Sequence, residues 1–159
     1  MTIFGTYLQA TIDRGRDEAQ RDGSATVEAQ HLLLAIAAGH EATTHQVLAS
    51  AGLDYQAIRE ALDREFEHSL SAAGVPVDVF GLPEPSASPQ RPGQLGASAK
   101  LAIGRGFPAG AHKKDLRPAH VLLGILQAQI GTVPRALALA GIDRTGLAER
   151  VQQALAGTG

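Results

Sequence analysis

An offset of 89 residues lays positions 31–62 onto 120–151 without a gap, and eleven of the thirty-two paired positions are identical. His31, Leu32, Leu33, Leu34, Ala35 and Ile36 pair with His120, Val121, Leu122, Leu123, Gly124 and Ile125. Farther on, Ala51, Gly52, Leu53 and Asp54 pair with Ala140, Gly141, Ile142 and Asp143. Conservative pairs such as Ile58 with Leu147 add to the match. Self-similarity at a fixed period means one supersecondary unit used twice, with the copies stacked to bury a common face. The chain is therefore expected to fold as two related units, and each feature of one copy predicts a feature of the other.

The unit reads as four helices. Phe4, Leu8, Ile12, Gly15 and Ala19 recur every three or four residues, predicting a first helix that Asp22 and Gly23 terminate. The His-Leu-Leu-Leu segment is a second helix, and in the second copy Pro118 suits its first turn, where the missing N–H needs no partner. A short third helix runs into Gly52 or Gly141, each suited to the left-handed position past a helix end. Asp54 and Asp143 then cap a fourth helix, whose stripe in copy one is Ile58, Leu62, Phe66 and Leu70. The first helix of copy two is expected to be short or broken, because Gly104, Gly106, Pro108 and Gly110 interrupt the helical residues 97–103.

Between the copies, Pro76, Pro83, Pro85, Pro89 and Pro92 fall in one window with Gly74, Gly81, Gly93, Ser86 and Ser88. This divides the chain into a first repeat at 1–72, a Pro/Gly-rich linker loop at 73–94 and a second repeat at 95–157. Val75, Val77, Val79 and Phe80 are positioned to dock locally.

Composition agrees with an all-α fold of two pseudo-twofold-related four-helix repeats. Aromatics make up 4% of the chain and Trp is absent, leaving the core to Leu, Ile, Val and Ala. A net charge of -2 gives no electrostatic attraction to nucleic acid or to an anionic membrane. With no cysteine there is no disulfide framework, thiol nucleophile or thiolate metal site. No run approaches the ~18 apolar residues of a membrane span, and residues 1–22, broken by Thr and Gln and charged from Asp13 onward, lack the apolar stretch of a secretory signal. The cytoplasm is the expected location.

The doubled His-Leu-Leu-Leu helix, the Gly-Leu-Asp and Gly-Ile-Asp turns and the long inter-repeat loop together resemble the Clp N-terminal (Clp repeat) domain family. Glu18-Ala19 and Ala99-Lys100 match further short family motifs. The resemblance implies a non-catalytic, cofactor-free domain that captures substrates or adaptor proteins for an AAA+ unfoldase. The expected partners are thus proteins or peptides, including Clp protease components and their substrates. No phosphate-binding loop is present, since residues 93–100 end in Ala99-Lys100 without the Gly-Lys-Ser/Thr ending. The chain reads as a stand-alone relative or an excised domain.

Family members that read phosphoarginine carry glutamate immediately before the motif histidine in both repeats. Gln30 and Ala119 stand at those positions, so the charge-assisted acceptors for a guanidinium are lost and weak or absent phosphoarginine binding is expected. The resemblance also implies a groove where the first helices of the repeats approach each other, which accepts partner proteins and, in some members, cyclic peptide natural products. Phe4, Tyr7, Leu8, Leu95 and Lys100 are the residues assigned to it. A sequestering protein for cyclic peptides or other small ligands is the alternative function.

Other candidates for chemistry read as structural. His31 and His120 recur because the repeat recurs, beside apolar residues, and are expected to be packed and hydrogen-bonded. His40 and His45 lie five apart, off the three- or four-residue spacing of helical metal ligands. His112, Lys113, Lys114 and Arg117 form a basic cluster too poor in aromatics for a nucleic-acid platform. No nucleophile and base pair up, no metal site is predicted, and an enzyme is not expected.

Overall fold

In the computed structural model, residues 2–74, 90–108 and 111–157 are described, and they form eight α-helices with no strand. The N-terminal half holds α1 (Ile3–Arg21), α2 (Ala29–Ala38), α3 (Ala42–Ser50) and α4 (Tyr55–Ala72). The C-terminal half holds α5 (Ala97–Gly106), α6 (Pro118–Leu126), α7 (Thr132–Leu139) and α8 (Arg144–Gly157), with a 3-10 turn at Lys113–Asp115. Most of the Pro/Gly-rich window, including Val75, Val77, Val79 and Phe80, lies outside the described residues.

The His-Leu-Leu-Leu helices α2 and α6 are central. Residues 31–36 and 119–126 are buried without interruption, which is how a helix apolar all round must sit in a globular fold. They touch each other, and the remaining helices pack around them. The halves also interlock at the periphery, α4 against α7 and α3 against α8, so one hydrophobic core runs through both. Each fully buried Leu or Ile there, such as Leu32, Ile58, Leu122 and Ile125, contributes about 1.5–3 kcal/mol.

Local geometry at the aligned positions is the same in both halves. Gly52 and Gly141 have φ of 71° and 73°, the left-handed conformation that releases the chain from α3 and α7. Asp54 then accepts from the Ala57 N–H at 2.7 Å and Asp143 from the Gly146 N–H at 3.0 Å. Pro118 occupies the first turn of α6.

Two expectations need correction. Phe66 does not continue the buried stripe of α4; it is 41% exposed, and Glu65 beside it is the buried residue. Arg135 on α7 donates to Glu65 at 2.9 Å and the Ser69 hydroxyl donates to the same carboxylate at 2.6 Å, so the face turned to α7 carries an ion pair in place of an aromatic ring. The first helix of copy two is short, ten residues against nineteen for α1, yet Gly104 and Gly106 lie inside it. The helix stops only before Phe107 and Pro108. Gly106 is required by a crossing: a Cβ there would lie 2.0 Å from the His120 carbonyl oxygen, and one on Gly124 would lie 1.8 Å from that of Ala102. Backbone meets backbone where α5 crosses α6.

Candidate functional site

His31 and His120 share one structural task. Each sits at the third position of its helix, and its Nδ1 accepts the N–H of the residue before the helix, Glu28 or Arg117, at 2.9 Å in both cases. An Nδ1 that accepts leaves the neutral ring's proton on Nε2. At His31, which is 1% exposed, that Nε2–H donates to Asp22 at 3.2 Å. Burial pushes the His120 pKa below its ordinary value, and the Arg117 charge adds to this against the backbone hydrogen bond.

Asp22 opens a polar network along the α1–α4 interface. Arg59 donates to Asp22 at 2.9 Å and to Glu18 at 2.5 Å, and the Tyr55 hydroxyl donates to Glu18 at 2.8 Å. Burial works against the charged form of Asp22, but the His31 hydrogen bond and the Arg59 charge outweigh it and hold the carboxyl below its usual range. For Arg59, burial is likewise outweighed, chiefly by Asp22, and its pKa rises. With every member paired, the network fixes α4 on α1. Its outer edge forms one wall of a cleft of about 280 Å³ that also takes in Gln30, Leu62 and Phe66.

A second cleft, of about 270 Å³, opens on the other side of Gln30 and Thr132, which line both. Its floor and walls include Leu101, Ile130, Val133 and Pro134, with Arg105 and Arg135 among them. Leu101 is 60% and Ile130 89% exposed. Glu28 closes one end. Its carboxylate accepts from the Ser98 hydroxyl at 2.6 Å and from the Thr26 hydroxyl, while the Ser98 Oγ accepts from the Ala29 N–H at 2.8 Å. Those hydroxyl donors overcome the effect of burial and lower the Glu28 pKa. The adjacent backbone ties the halves directly, Val27 donating to the Gln94 carbonyl at 3.0 Å and Gly96 to that of Val27 at 2.7 Å. Glu28 went unremarked in the sequence because its partner, Ser98, is distant along the chain. Of the two positions before the motif histidines, Gln30 faces this surface and Ala119 is buried.

The five groove residues are not brought together. Phe4 meets Phe107 edge-to-face at 5.7 Å, and the hollow around it, about 330 Å³, is completed by Tyr7, Lys114, Leu116, Arg117 and Pro118. Leu8 is half-buried against the core. Leu95 is held at the entrance to α2 by the Val27 bridge, and Lys100 is exposed on α5; neither lines the Phe4 hollow. The reason lies in the path of α5. The bridge fixes its start beside α2, so the residue that follows its end, Phe107, reaches the start of α1. The Tyr7 hydroxyl is buried without a hydrogen-bond partner among the described residues. Burial raises its pKa, with Glu41 adding to the effect.

Residues 3–80, which include all of α1–α4, match the family described as the Clp repeat (R) N-terminal domain. Over these residues the chain carries a Clp repeat N-terminal domain. A search of curated proteins finds no significant relative. The Clp repeat assignment places the chain with Clp-related protein-interaction modules and agrees with its all-helical architecture. Among the described residues, no helix is long and apolar enough to cross a membrane, and no group of three or more His, Cys, Asp or Glu side chains is arranged to hold a metal ion.

Proposed function

We propose that the chain is a non-catalytic, cofactor-free polypeptide-binding module that serves Clp-type unfoldases in the cytoplasm as an adaptor, a substrate-recognition unit or a regulator. The Clp repeat match carries this reading. It is supported by the exposure of Leu101 and Ile130 in one cleft between the halves, since clustered exposed apolar side chains rimmed by polar ones mark interaction surfaces. The histidines are committed to helix starts and the Glu18–Arg59–Asp22 network to the α1–α4 interface, which fits a binding role better than catalysis.

Fluorescence anisotropy of labelled, unfolded casein titrated with the protein tests the proposal. Saturable binding with a Kd of roughly 1–100 μM is expected. Absence of binding, or ester or peptide hydrolysis lost in His31→Ala, overturns it. Free phosphoarginine in the same assay is expected not to compete, because Gln30 offers no charge and Ala119 no acceptor.

A second reading draws on the hollow at Phe4, Tyr7, Leu116 and Pro118, which has the size and apolar lining of a small-ligand site. A cyclic peptide held there would make the protein a sequestering agent. A thermal-shift screen separates the two, because a tight ligand raises Tm by mass action and a transient polypeptide contact does not.

A further inference from the structure

His31 and His120 are locked through Nδ1 in the same way, yet only one of them has a partner for its other ring nitrogen. The His31 Nε2–H donates to Asp22 at 3.2 Å, and Arg59 donates to the same carboxylate at 2.9 Å. The His120 Nε2–H makes no hydrogen bond among the described residues, although the residue is only 8% exposed. The cause is legible in the repeat. Ala148 stands at the position aligned with Arg59, and α5 is followed by Phe107 and Pro108, so neither the carboxylate nor its clamp is repeated. Where the 89-residue offset is carried on, Gln152 replaces Asp63 and Leu155 replaces Phe66.

In place of that network, His120 lines a cleft of about 580 Å³ together with Arg105, Arg117, Gln152 and Leu155. Neither guanidinium makes an ion pair among the described residues. Arg105 donates to the Gly124 carbonyl at 3.3 Å and Arg117 to that of Leu155, which leaves each with donors to spare. The Arg117 charge is close enough to His120 to act on its titration. Asp115 is the only carboxylate among the described lining residues; it is exposed and makes no ion pair among them. A nearly buried N–H donor with two guanidiniums around it suits a carboxylate, whose two oxygens accept charge-assisted hydrogen bonds.

We propose that this cleft binds the carboxylate of a polypeptide ligand, which takes beside His120 the place that Asp22 holds beside His31. The His120 Nε2–H donates to one oxygen, Arg105 and Arg117 supply the charge, and an apolar side chain of the ligand rests on Leu155. This rests on the polypeptide-binding function proposed above and names the group recognised. A chain end and a Glu side chain offer the same chemistry, and the test separates them.

Isothermal titration calorimetry of the full chain uses two matched pairs of acetylated peptides. One pair is Gly-Ser-Ala-Leu-Ala-Leu with a free or an amidated C-terminus; the other is amidated Gly-Ala-Leu-Glu-Leu-Ala and Gly-Ala-Leu-Gln-Leu-Ala. In at least one pair the carboxylate peptide is expected to bind about tenfold more tightly than its neutral match, and the pair that shows it identifies the source. His120→Asn keeps an acceptor for the Arg117 N–H but has no donor at the Nε2 position, and it is expected to erase most of that preference. Arg105→Met, at an exposed position that leaves the core intact, is expected to do the same. Asp115→Asn removes a competing charge and is expected to tighten binding.

Equal binding within both pairs overturns the inference, as does a preference that survives both His120→Asn and Arg105→Met. Binding that appears only in Asp115→Asn also overturns it, because the chain's own carboxylate is then the occupant. If no peptide binds while unfolded casein does, the polypeptide-binding function stands and this site falls; if neither binds, both fall.

Discussion

The N-terminal and C-terminal halves begin their second and fourth helices alike and pack their first helix on their second, but they reinforce that crossing differently. In the N-terminal half, α1 packs on α2, and Arg59 of α4, shared between Glu18 and Asp22 with His31 and Tyr55 completing the set, clamps its end. In the C-terminal half, α5 is fixed to α6 by close approach of two backbones at Gly106 and Gly124. Position 35, aligned with Gly124, is alanine. The difference teaches that one packing scheme can be reinforced by a charged clamp from a third helix, which tolerates some separation, or by contact so close that it excludes a single methyl group.

The largest predicted effect breaks the close contact. Gly124→Ala or Gly106→Ala forces α5 and α6 apart and is expected to cost about 3 kcal/mol or more, read as a fall in the denaturant midpoint. By comparison, Ala35→Gly in the other half is expected to cost only about 1 kcal/mol, the helix-propensity difference. Equal losses would dissolve the contrast between the halves.

Next comes the network. Arg59→Met leaves the buried Glu18 and the half-buried Asp22 without their cation, and a loss of about 3 kcal/mol is expected by chemical denaturation. Restoring neutrality in the triple change Glu18→Gln, Asp22→Asn, Arg59→Met should recover much of it. Failure to recover would mean that charge contributes little to clamping α4 on the end of α1.

The halves also divide the pH axis. The folded-state pKa of Asp22 lies below its ordinary value of 3.8, so its contribution is complete above that pH and is lost as pH falls through the folded value. The folded-state pKa of His120 lies below 6.5, so the unfolded chain takes up that proton first. Its contribution is present above about pH 6.5 and is lost as pH falls through the folded value. His120→Asn keeps an acceptor for the Arg117 N–H and cannot titrate; stability measured from pH 7.5 to 5 should fall less steeply in this variant. An unchanged slope would clear His120 of the effect.

The smallest effect tests the likeness itself. Asp54→Ala and Asp143→Ala each remove one cap, and equal losses of about 1 kcal/mol are expected in Tm-derived stability.

Those caps were legible in the sequence because their causes are local. The aspartates bond an N–H three residues ahead and the glycines take a left-handed φ, so neighbouring letters suffice. The all-helical class followed from the same short-range periodicity. Phe66 misled because an amphipathic stripe counts apolarity and is blind to Arg135, seventy residues away, which makes Glu65 the better-buried neighbour. The groove residues were chosen on the same local grounds. It placed Leu95 and Lys100 with Phe4, whereas a backbone bridge to Val27 sets the path of α5 and delivers Phe107 there instead. Gln30 was singled out for a missing charge, and its placement in the lining of two clefts emerges only when both halves are folded.

The seam at Glu28 bears on how such a chain can evolve. One carboxylate accepts from the Thr26 and Ser98 hydroxyls, and a Cβ on Gly96 would lie 1.8 Å from it. A substitution at Glu28 is therefore felt in both halves at once, and the small residues at 96 and 98 answer to a residue some seventy positions earlier. Divergence between the halves is free on their outer faces and constrained at this joint. Exchange of either half with that of a relative is expected to succeed only when positions 28, 96 and 98 are inherited as a set.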